Sequence, residues 1–381
     1  MNRAIYAALL LVLLITGCNG EETESVQDAE EEGVNDESAE SVSEGEGSSE
    51  DIEESGEEAE SLQVQTEAED LNVPWSINKV NETFYISERE GSIAVIENGV
   101  INREDIDVQE TFTHEGEGGL LGFVLHPEFE ENNQAFLYYT YLEDGLKNRI
   151  VIVERDNGEW TEKGVIKDNI PGDSIHNGGR LAIGPDGYLY ATTGDASEPD
   201  LAQDENNLAG SILRLTLDGK VPEDNPFEDS AVFSYGHRNP QGLSWDSEGT
   251  MYSTEHGPVG EDEINRIEAG NNYGWPLISG DETEEGMEEP LLQSGEDTWA
   301  PSGSAMINDR YLLVTGLRGE ALFGVDVEEE TIERLFEGEG RLRDVFIEEE
   351  TVYIITNNTD GRGQPQEGDD RLVRIDNFFQ D

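Results

Sequence analysis

The sequence has a single cysteine, Cys18, among 381 residues, so no disulfide can form within the chain and packing or bound metal must stabilise it. Basic residues are scarce as well: lysine and arginine together number 22, against 88 aspartates and glutamates. The resulting formal net charge of -66 makes nucleic acid and anionic membrane surfaces poor partners. A lysine-poor surface that is acidic throughout is typical of a protein kept soluble at high salt, which concerns habitat and not activity.

The longest apolar run extends from about residue 5 to about residue 15 and is too short to span a bilayer permanently. Arg3 precedes this run and small residues follow it, a pattern that predicts an export signal. The stretch LITGC at 14–18 resembles the lipobox of bacterial lipoproteins, which implies cleavage before Cys18 and lipidation of that cysteine. Acyl chains contribute roughly 0.8 kcal/mol per buried CH2, so several would hold the exported protein on the extracytoplasmic face of the cell membrane. The alternative is an ordinary secretory signal with an incidental cysteine.

Residues 19–65 are rich in Glu, Ser and Gly and contain almost nothing apolar. Such a segment cannot bury enough surface to offset its ordering entropy, and its like charges keep it extended. The predicted organisation is therefore a signal peptide at 1–17, an acidic disordered linker at 18–65, and one folded domain at 66–381.

One short pattern recurs through the folded domain: a polar turn, then an apolar and aromatic strand ending in Thr or Ser. It occurs at 81–91 (NETFYISEREG), 132–141 (NNQAFLYYTY), 186–195 (DGYLYATTGD), 248–257 (EGTMYSTEHG), 309–319 (DRYLLVTGLRG) and 350–361 (ETVYIITNNTDG). A spacing of roughly 40–60 residues is typical of propeller blades. Six copies predict an all-β fold, a six-bladed β-propeller of four-stranded antiparallel blades around a central channel. A long β-sandwich is the alternative, and it accounts poorly for the regular recurrence.

Several longer stretches carry a family resemblance. They are PWSI (74–77), GEGGLLGFVLHPEF (116–129), HNGGRLAIGPDGYLYATTGD (176–195), LAGSILRLTLDGKVPEDNPF (208–227), SYGHRNPQGL (234–243), EHGPVGEDEIN (255–265), NNYGWP (271–276), APSGSAM (300–306), LRG (317–319) and GRLRDV (340–345). In this order they resemble the soluble pyrroloquinoline-quinone (PQQ)-dependent aldose dehydrogenases of the glucose/sorbosone dehydrogenase family. The resemblance covers nearly all of 71–378 and implies a six-bladed propeller with the quinone at the mouth of its channel.

His176 stands before a Gly-Gly turn, where an imidazole can approach a bound ligand closely. Neutral imidazole suits proton abstraction near pH 7, although a histidine in a turn is more often a surface or capping residue. The resemblance implies that His176 is the general base that takes the proton of the sugar C1 hydroxyl while hydride passes to the quinone. It also implies that Asp195 orients this histidine.

The resemblance assigns further residues to the cofactor. Arg238 and Asn239 match the pair beside the reactive carbonyl, where a cation stabilises developing negative charge. Three other arginines match residues that grip the quinone carboxylates, for which a planar guanidinium is well shaped: Arg318, Arg341 and Arg343. The alternative for any one of them is a surface salt bridge.

Two more positions are expected near the cofactor. Glu117 lies where many relatives carry Gln, and a carboxylate there would repel the quinone's own acids unless it is protonated or bridged by calcium. Gln203 is expected beside the cofactor or the substrate.

Calcium is the second cofactor that the resemblance implies. One ion would bridge the quinone to the backbone carbonyls of Gly257 and Pro258, and a second, structural ion would be held by Glu263 and the carbonyl of Tyr273. Hard oxygen ligands of this kind suit Ca2+ better than Zn2+. The alternative is that Glu263 and its neighbour Asp262 are merely solvated acids.

The predicted function is oxidation of the C1 hydroxyl of aldoses to lactones with PQQ and Ca2+, followed by electron transfer to an external quinone or redox protein. Two other classes remain open. One is a non-catalytic propeller that binds a glycan or protein, and the other is a calcium-dependent lactonase.

Overall fold

The computed structural model of the chain describes residues 62–379, and this part is almost entirely β-structure. The predicted signal peptide, Cys18 and the linker up to residue 61 lie outside the described residues. The strands are β1 Gln63–Ala68, β2 Pro74–Val80, β3 Thr83–Glu88, β4 Ser92–Glu97, β5 Val100–Asp107, β6 Leu120–Leu125, β7 Gln134–Leu142, β8 Leu146–Asp156, β9 Glu159–Pro171, β10 Leu181–Ile183, β11 Leu189–Thr193, β12 Ser211–Leu215, β13 Val232–Tyr235, β14 Pro240–Trp245, β15 Met251–Glu255, β16 Glu263–Ile267, β17 Leu292–Gln293, β18 Pro301–Met306, β19 Tyr311–Gly316, β20 Ala321–Asp326, β21 Thr331–Glu337, β22 Leu342–Glu348, β23 Thr351–Thr356 and β24 Leu372–Asp376. Between residues 62 and 379 the helical segments are one α-helical turn, α1 (Phe129–Asn132), and a 3-10 turn at Pro199–Gln203. No helix in this range is long and apolar enough to cross a membrane.

The strands form six sets of four. Sets 3, 4 and 5 are separate antiparallel sheets, β10–β13, β14–β17 and β18–β21 in sequence order. Sets 1 and 2, β2–β5 and β6–β9, share one eight-stranded sheet because β5 and β9 meet in a short parallel ladder. Set 6 has the order β1-β24-β23-β22, so the first strand of the domain completes its last sheet.

The first strands of the six sets form a closed ring. Contacts run from β2 to β6, β10, β14, β18 and β22, and from β22 back to β2. Pairing of β1 with β24 fastens the ring where the chain begins and ends, with Gln63 opposite Asp376 and Val64 opposite Ile375. Residues 63–65 therefore belong to the folded domain, which corrects the predicted linker boundary at residue 65.

The hydrophobic core is divided into six clusters, and each cluster fills the space between two neighbouring sets. Residues from both sides meet in every cluster: Tyr85 with Trp160, Tyr138 with Leu213, Tyr190 with Met251, Tyr252 with Phe323, Leu313 with Ile354, and Phe84 with Tyr353. Burial on both faces explains why strands such as β11 (LYATT) and β15 (MYSTE) are buried at every position.

Each repeat found in the sequence is the second strand of one set: β3, β7, β11, β15, β19 and β23. The second strands run antiparallel to the first strands, so the ends of the second strands lie beside the starts of the first. We call this end of the ring the site end. The prediction that the turns after the repeats gather at one end is confirmed by this arrangement.

Candidate functional site

The turn carrying His176 follows β9 and leads into β10 at the site end. His176 and Gly178 both have positive φ, 57° and 60°. A side chain at Gly178 would meet the Thr192 carbonyl at 2.6 Å, and one at Gly194 would meet the His176 carbonyl at 1.9 Å. Glycines at both positions allow the His176 turn to pack directly on the end of β11, which carries Asp195 just beyond it.

His176 and Asp195 form a hydrogen-bonded pair, with 2.8 Å between Nδ1 and Oδ1. Asp195 is fully buried, and its carboxylate also accepts hydrogen bonds from the Ser197 backbone N–H at 2.9 Å and from Trp275 Nε1 at 2.8 Å. The carboxylate thus holds the imidazole through Nδ1, and Nε2 is the nitrogen that can accept a proton from a ligand.

The turn carrying Arg238 and Asn239 lies directly against this pair. The Asp195 backbone N–H donates to the Arg238 carbonyl at 2.8 Å, and the Gly178 backbone N–H donates to Asn239 Oδ1 at 3.0 Å. The structure therefore brings the predicted base and the predicted cationic pair together, although 62 residues separate His176 from Arg238.

A buried carboxylate, a backbone carbonyl and an indole hold Arg238 in place. Its backbone N–H donates to Glu255, its Nη1 donates to the His256 carbonyl at 3.1 Å, and its guanidinium lies 5.3 Å from the Trp275 ring centroid. Burial lowers the pKa of Arg238, and the negative charges of Asp195 and Glu255 oppose that shift. Arg238 Nε is buried and has no hydrogen-bond partner among residues 62–379.

Arg341 and Arg343 stand at the start of β22, next to the channel. Arg341 donates to the carbonyls of Asn357 and Leu317 and pairs with Asp360 at 2.8 Å. Arg343 is buried and bonds Gln241, Ser302 and Asn357 through its two terminal nitrogens. Burial lowers the pKa of Arg343 to about 9. Its Nε is buried and lacks a partner within the described part of the chain.

A small pocket opens beside these groups. It is lined by Trp75, Arg89, Glu117, Leu121, Asn177, Gly178, Gln241, His256, Leu317, Arg343, Asp360 and Arg362. We call it the arginine pocket. His256 Nε2 is another buried nitrogen for which residues 62–379 supply no partner. Unpartnered buried polar atoms are costly, so Arg343 Nε and His256 Nε2 in the wall of one pocket point to a polar ligand here.

Trp75 and Arg180 support the pocket from below. The guanidinium groups of Arg180 and Arg343 lie 4.3 and 5.6 Å from the Trp75 ring centroid. Arg180 is itself paired with Asp344 at 3.0 Å, and Asp344 accepts the Ile77 backbone N–H at 2.8 Å. These buried contacts fix the floor of the channel across sets 1, 3 and 6.

The remaining predicted cofactor residues lie in three different settings. Glu117 lines the arginine pocket, accepts the His176 backbone N–H at 3.2 Å and pairs with Arg362 at 2.7 Å. Gln203 is turned into the protein, where its Nε2 donates to the Trp275 carbonyl at 2.7 Å and to Asn272 at 3.0 Å. Arg318 is exposed in the turn after β19. Only Glu117 of these three lines the pocket.

The predicted calcium ligands border a second, smaller pocket that shares Arg238 and His256 with the site. It is lined by Arg238, Glu255, His256, Gly257, Pro258, Glu261, Glu263, Tyr273, Trp275, Ile278 and Ser279. Burial beside Glu255 and Glu261 raises the pKa of Glu263 to about 8. No cluster of three or more His, Cys, Asp or Glu side chains suited to a metal was found among residues 62–379. The predicted calcium ligands are mostly backbone carbonyl oxygens, so the absence of such a side-chain cluster does not contradict the calcium prediction.

Asp262 has a structural role beside this pocket. It is buried, its Oδ1 accepts the Gly257 N–H, and its Oδ2 accepts hydrogen bonds from Thr298, Trp299 and Ala300. The alternative that Asp262 is a solvated acid is therefore wrong.

Sequence reasoning missed several residues of the site, among them Trp75, Arg180, Trp275, Asp360 and Arg362. The first three lie inside the stretches PWSI, HNGGR and NNYGWP, so the motifs contained the signal without indicating a role. Asp360 lies in the last repeat, Arg362 lies outside every recognised stretch, and only the folded ring brings both to the pocket.

Comparison with known proteins agrees with this geometry. The glucose/sorbosone dehydrogenase family matches residues 71–373. The PQQ-bound form of aldose sugar dehydrogenase from Streptomyces coelicolor superposes with a TM-score of 0.78 at 36% identity, covering 84% of this chain and 98% of that one.

Two curated proteins are also similar. An aldose sugar dehydrogenase of Escherichia coli is 30% identical over 342 residues, or 79% of this chain and 91% of that protein. Quinoprotein glucose dehydrogenase B of Acinetobacter calcoaceticus is 36% identical over 197 residues, or 44% of this chain and 41% of that protein.

Proposed function

The chain belongs to the glucose/sorbosone dehydrogenase family, and on that premise we propose that it is a PQQ- and calcium-dependent aldose sugar dehydrogenase whose six strand sets are the blades of one propeller. The observation that carries this proposal is the His176–Asp195 pair at the edge of a pocket with unpartnered buried arginine nitrogens. The similar proteins named as PQQ-bound or quinoprotein dehydrogenases support it.

The pocket residues fit a tricarboxylate quinone. Nε of Arg343 in the arginine pocket and Nε of Arg238 in the adjoining smaller pocket are both buried donors without partners in the described range, and Arg89 and Arg362 add positive charge to the arginine pocket. Guanidinium groups suit carboxylates because their N–H donors match carboxylate geometry. Bound PQQ would supply the acceptor for the hydride that leaves C1 of the sugar.

In the proposed reaction, residues of the chain accept the proton of the sugar hydroxyl and stabilise the charges that develop. His176 Nε2 accepts the proton of the C1 hydroxyl as the C1–H bond breaks and the lactone C=O forms. Asp195 keeps the Nδ1 proton in place and stabilises the imidazolium that results. The guanidinium of Arg238 provides positive charge beside the position at which negative charge develops.

Calcium is proposed at the smaller pocket, where the carbonyls of Gly257 and Pro258 would hold one ion and Glu263 and the Tyr273 carbonyl would hold another. A mostly buried carboxylate crowded by two other glutamates suits a divalent cation, because the cation offsets both repulsion and desolvation. We further propose that the reduced cofactor passes its electrons to an external quinone or redox protein. Lipid on Cys18 would hold the enzyme on the extracytoplasmic face of the membrane.

The direct test is to add PQQ and Ca2+ to purified apoprotein and follow dye reduction with several aldoses. Sugar-dependent reduction that requires both additions is expected. In His176→Ala, turnover should fall by at least 10³-fold while PQQ affinity stays within a few-fold, because the base is removed and the arginines remain. Hydrolysis of lactones without PQQ would instead favour a lactonase, and PQQ-independent glycan or protein binding without turnover would favour a binding propeller.

A further inference from the structure

An ion pair between Glu117 and Arg362 crosses the mouth of the arginine pocket. Arg362 Nη1 lies 2.7 Å from Glu117 Oε1, and the two residues are 245 positions apart in the chain. Glu117 stands in the loop before β6, and Arg362 stands in the loop between β23 and β24. The pair therefore joins a loop of set 2 to a loop of set 6 over the pocket.

Both members of the pair belong to the pocket wall. The Glu117 side chain is 22% exposed and the Arg362 side chain is 54% exposed, so one end is sheltered and the other faces solvent. Glu117 Oε2 also accepts the His176 backbone N–H. The Arg362 backbone N–H donates to Asp360 Oδ1, and Asp360 binds Arg341 through Oδ2. Arg362 is thus linked to the predicted carboxylate-binding arginines through one aspartate.

The negative charge of Glu117 opposes the binding of any anionic ligand in this pocket. A carboxylate that lines the pocket repels ligand carboxylates, and the repulsion is strong where water is partly excluded. The positive charge of Arg362 lowers the pKa of Glu117 despite its burial, so the carboxylate stays ionised and paired. Arg362 is therefore the group that cancels the Glu117 charge.

We propose that Arg362 is a binding residue of the arginine pocket, which neutralises Glu117 and provides a further positive charge for the carboxylates of the bound ligand. This rests on the proposed function for the identity of the ligand as PQQ. The Glu117–Arg362 pair does more than join two loops, because Glu117 repels an anionic ligand and Arg362 attracts it.

The test is a double-mutant cycle on PQQ affinity, measured in apoprotein with Ca2+ by quenching of tryptophan fluorescence. Arg362→Gln should weaken binding about tenfold or more, because it removes a cation and leaves Glu117 unpaired. Glu117→Gln should bind as tightly as the wild type or several-fold tighter. The double variant should return to within about threefold of the wild type.

Arg310→Gln is the matched control, since Arg310 pairs with Asp326 at 2.5 Å, is 39% exposed and lies at the opposite end of the ring. It makes the same change in net charge and should leave PQQ affinity unchanged. Thermal unfolding of each variant checks folding. Equal weakening by Glu117→Gln and Arg362→Gln, or wild-type affinity in Arg362→Gln, would overturn the proposal. If the wild type fails to bind PQQ, the proposed function fails, and the same cycle with benzene-1,3,5-tricarboxylate still tests the role of Arg362.

Discussion

Asp195 is the residue that joins the proposed base, His176, to the proposed cationic group, Arg238. It binds the His176 imidazole through Oδ1 and the Trp275 indole through Oδ2, and its backbone N–H holds the Arg238 carbonyl. Trp275 in turn lies over the Arg238 guanidinium. In the proposed mechanism Trp275 is therefore a positioning residue, which would act on the reaction through Asp195 and Arg238.

Replacing Trp275 with Phe keeps an aromatic ring beside Arg238 but removes the N–H that fixes Asp195. A hydrogen bond to a charged group contributes about 1.5–3 kcal/mol, so kcat should fall about 10-fold to 100-fold while KM for the sugar changes little. The downfield proton signal of the carboxylate-bonded His176 Nδ1–H in NMR spectra of the apoprotein should shift or broaden, which a purely structural role would not cause.

Trp245→Phe is the control for this change, because Trp245 packs against Tyr190 at the end of β14 away from the site. It should leave kcat and the imidazole signal unaltered. An unchanged imidazole signal in Trp275→Phe would remove Trp275 from its positioning role.

At the scale of residues, sequence reasoning predicted groups that stand in continuous motifs. His176, Asp195 and Arg238 were predicted for one site and the structure brings these three together, while Arg343 lines the arginine pocket. Arg362 could not be predicted, because its proposed role depends on its contact with Glu117. That contact forms only when the ring closes. Gln203 stays a prediction for the neighbourhood of the ligand; in the structure its amide bonds Trp275 and Asn272.

Among the strands, β1 differs from the others because its sequence gives little signal. Residues 63–66 of QVQTEA are exposed, and only Ala68 is buried. The second strands were predictable because their apolar and aromatic runs recur, whereas β1 is defined by pairing with β24 more than 300 positions later in the chain. This explains why the predicted domain boundary fell inside the strand.

Two truncated chains distinguish the contribution of the linker to stability from that of β1. A chain beginning at Leu62 should unfold at the same temperature as one that keeps the linker, because every paired residue of β1 remains. A chain beginning at Glu69 loses the β1–β24 ladder and exposes the edge of β24, so its unfolding temperature should fall by about 5 °C or more. Differential scanning calorimetry measures both.

The Glu69 chain should also self-associate at high concentration, since an unpaired strand edge can pair with another chain. Size-exclusion chromatography detects this. Equal unfolding temperatures for the two truncations would mean that β1 is not needed to close the ring.

Across the whole molecule, positive charge is concentrated where the ligand is proposed to bind. Residues 71–381 contain 66 acidic residues against 21 basic ones. Arg89, Arg341, Arg343 and Arg362 cluster at one end of the ring, and burial together with like charge lowers the pKa of Arg343.

This imbalance predicts how stability depends on salt. Raising salt from 0.1 M to 1 M shortens the Debye length from about 10 Å to about 3 Å, which weakens both repulsion between carboxylates and exposed ion pairs such as Arg310–Asp326. Exposed pairs contribute only about 0–1 kcal/mol each, and the acids outnumber the bases threefold, so relief of repulsion is the larger effect. The unfolding temperature of the chain beginning at Leu62 should therefore rise by several degrees between 0.1 M and 1 M KCl. Sorbitol at matched osmolality is the control for solvent exclusion. An unfolding temperature that stays constant or falls in KCl would mean that local pairing already neutralises the acidic surface.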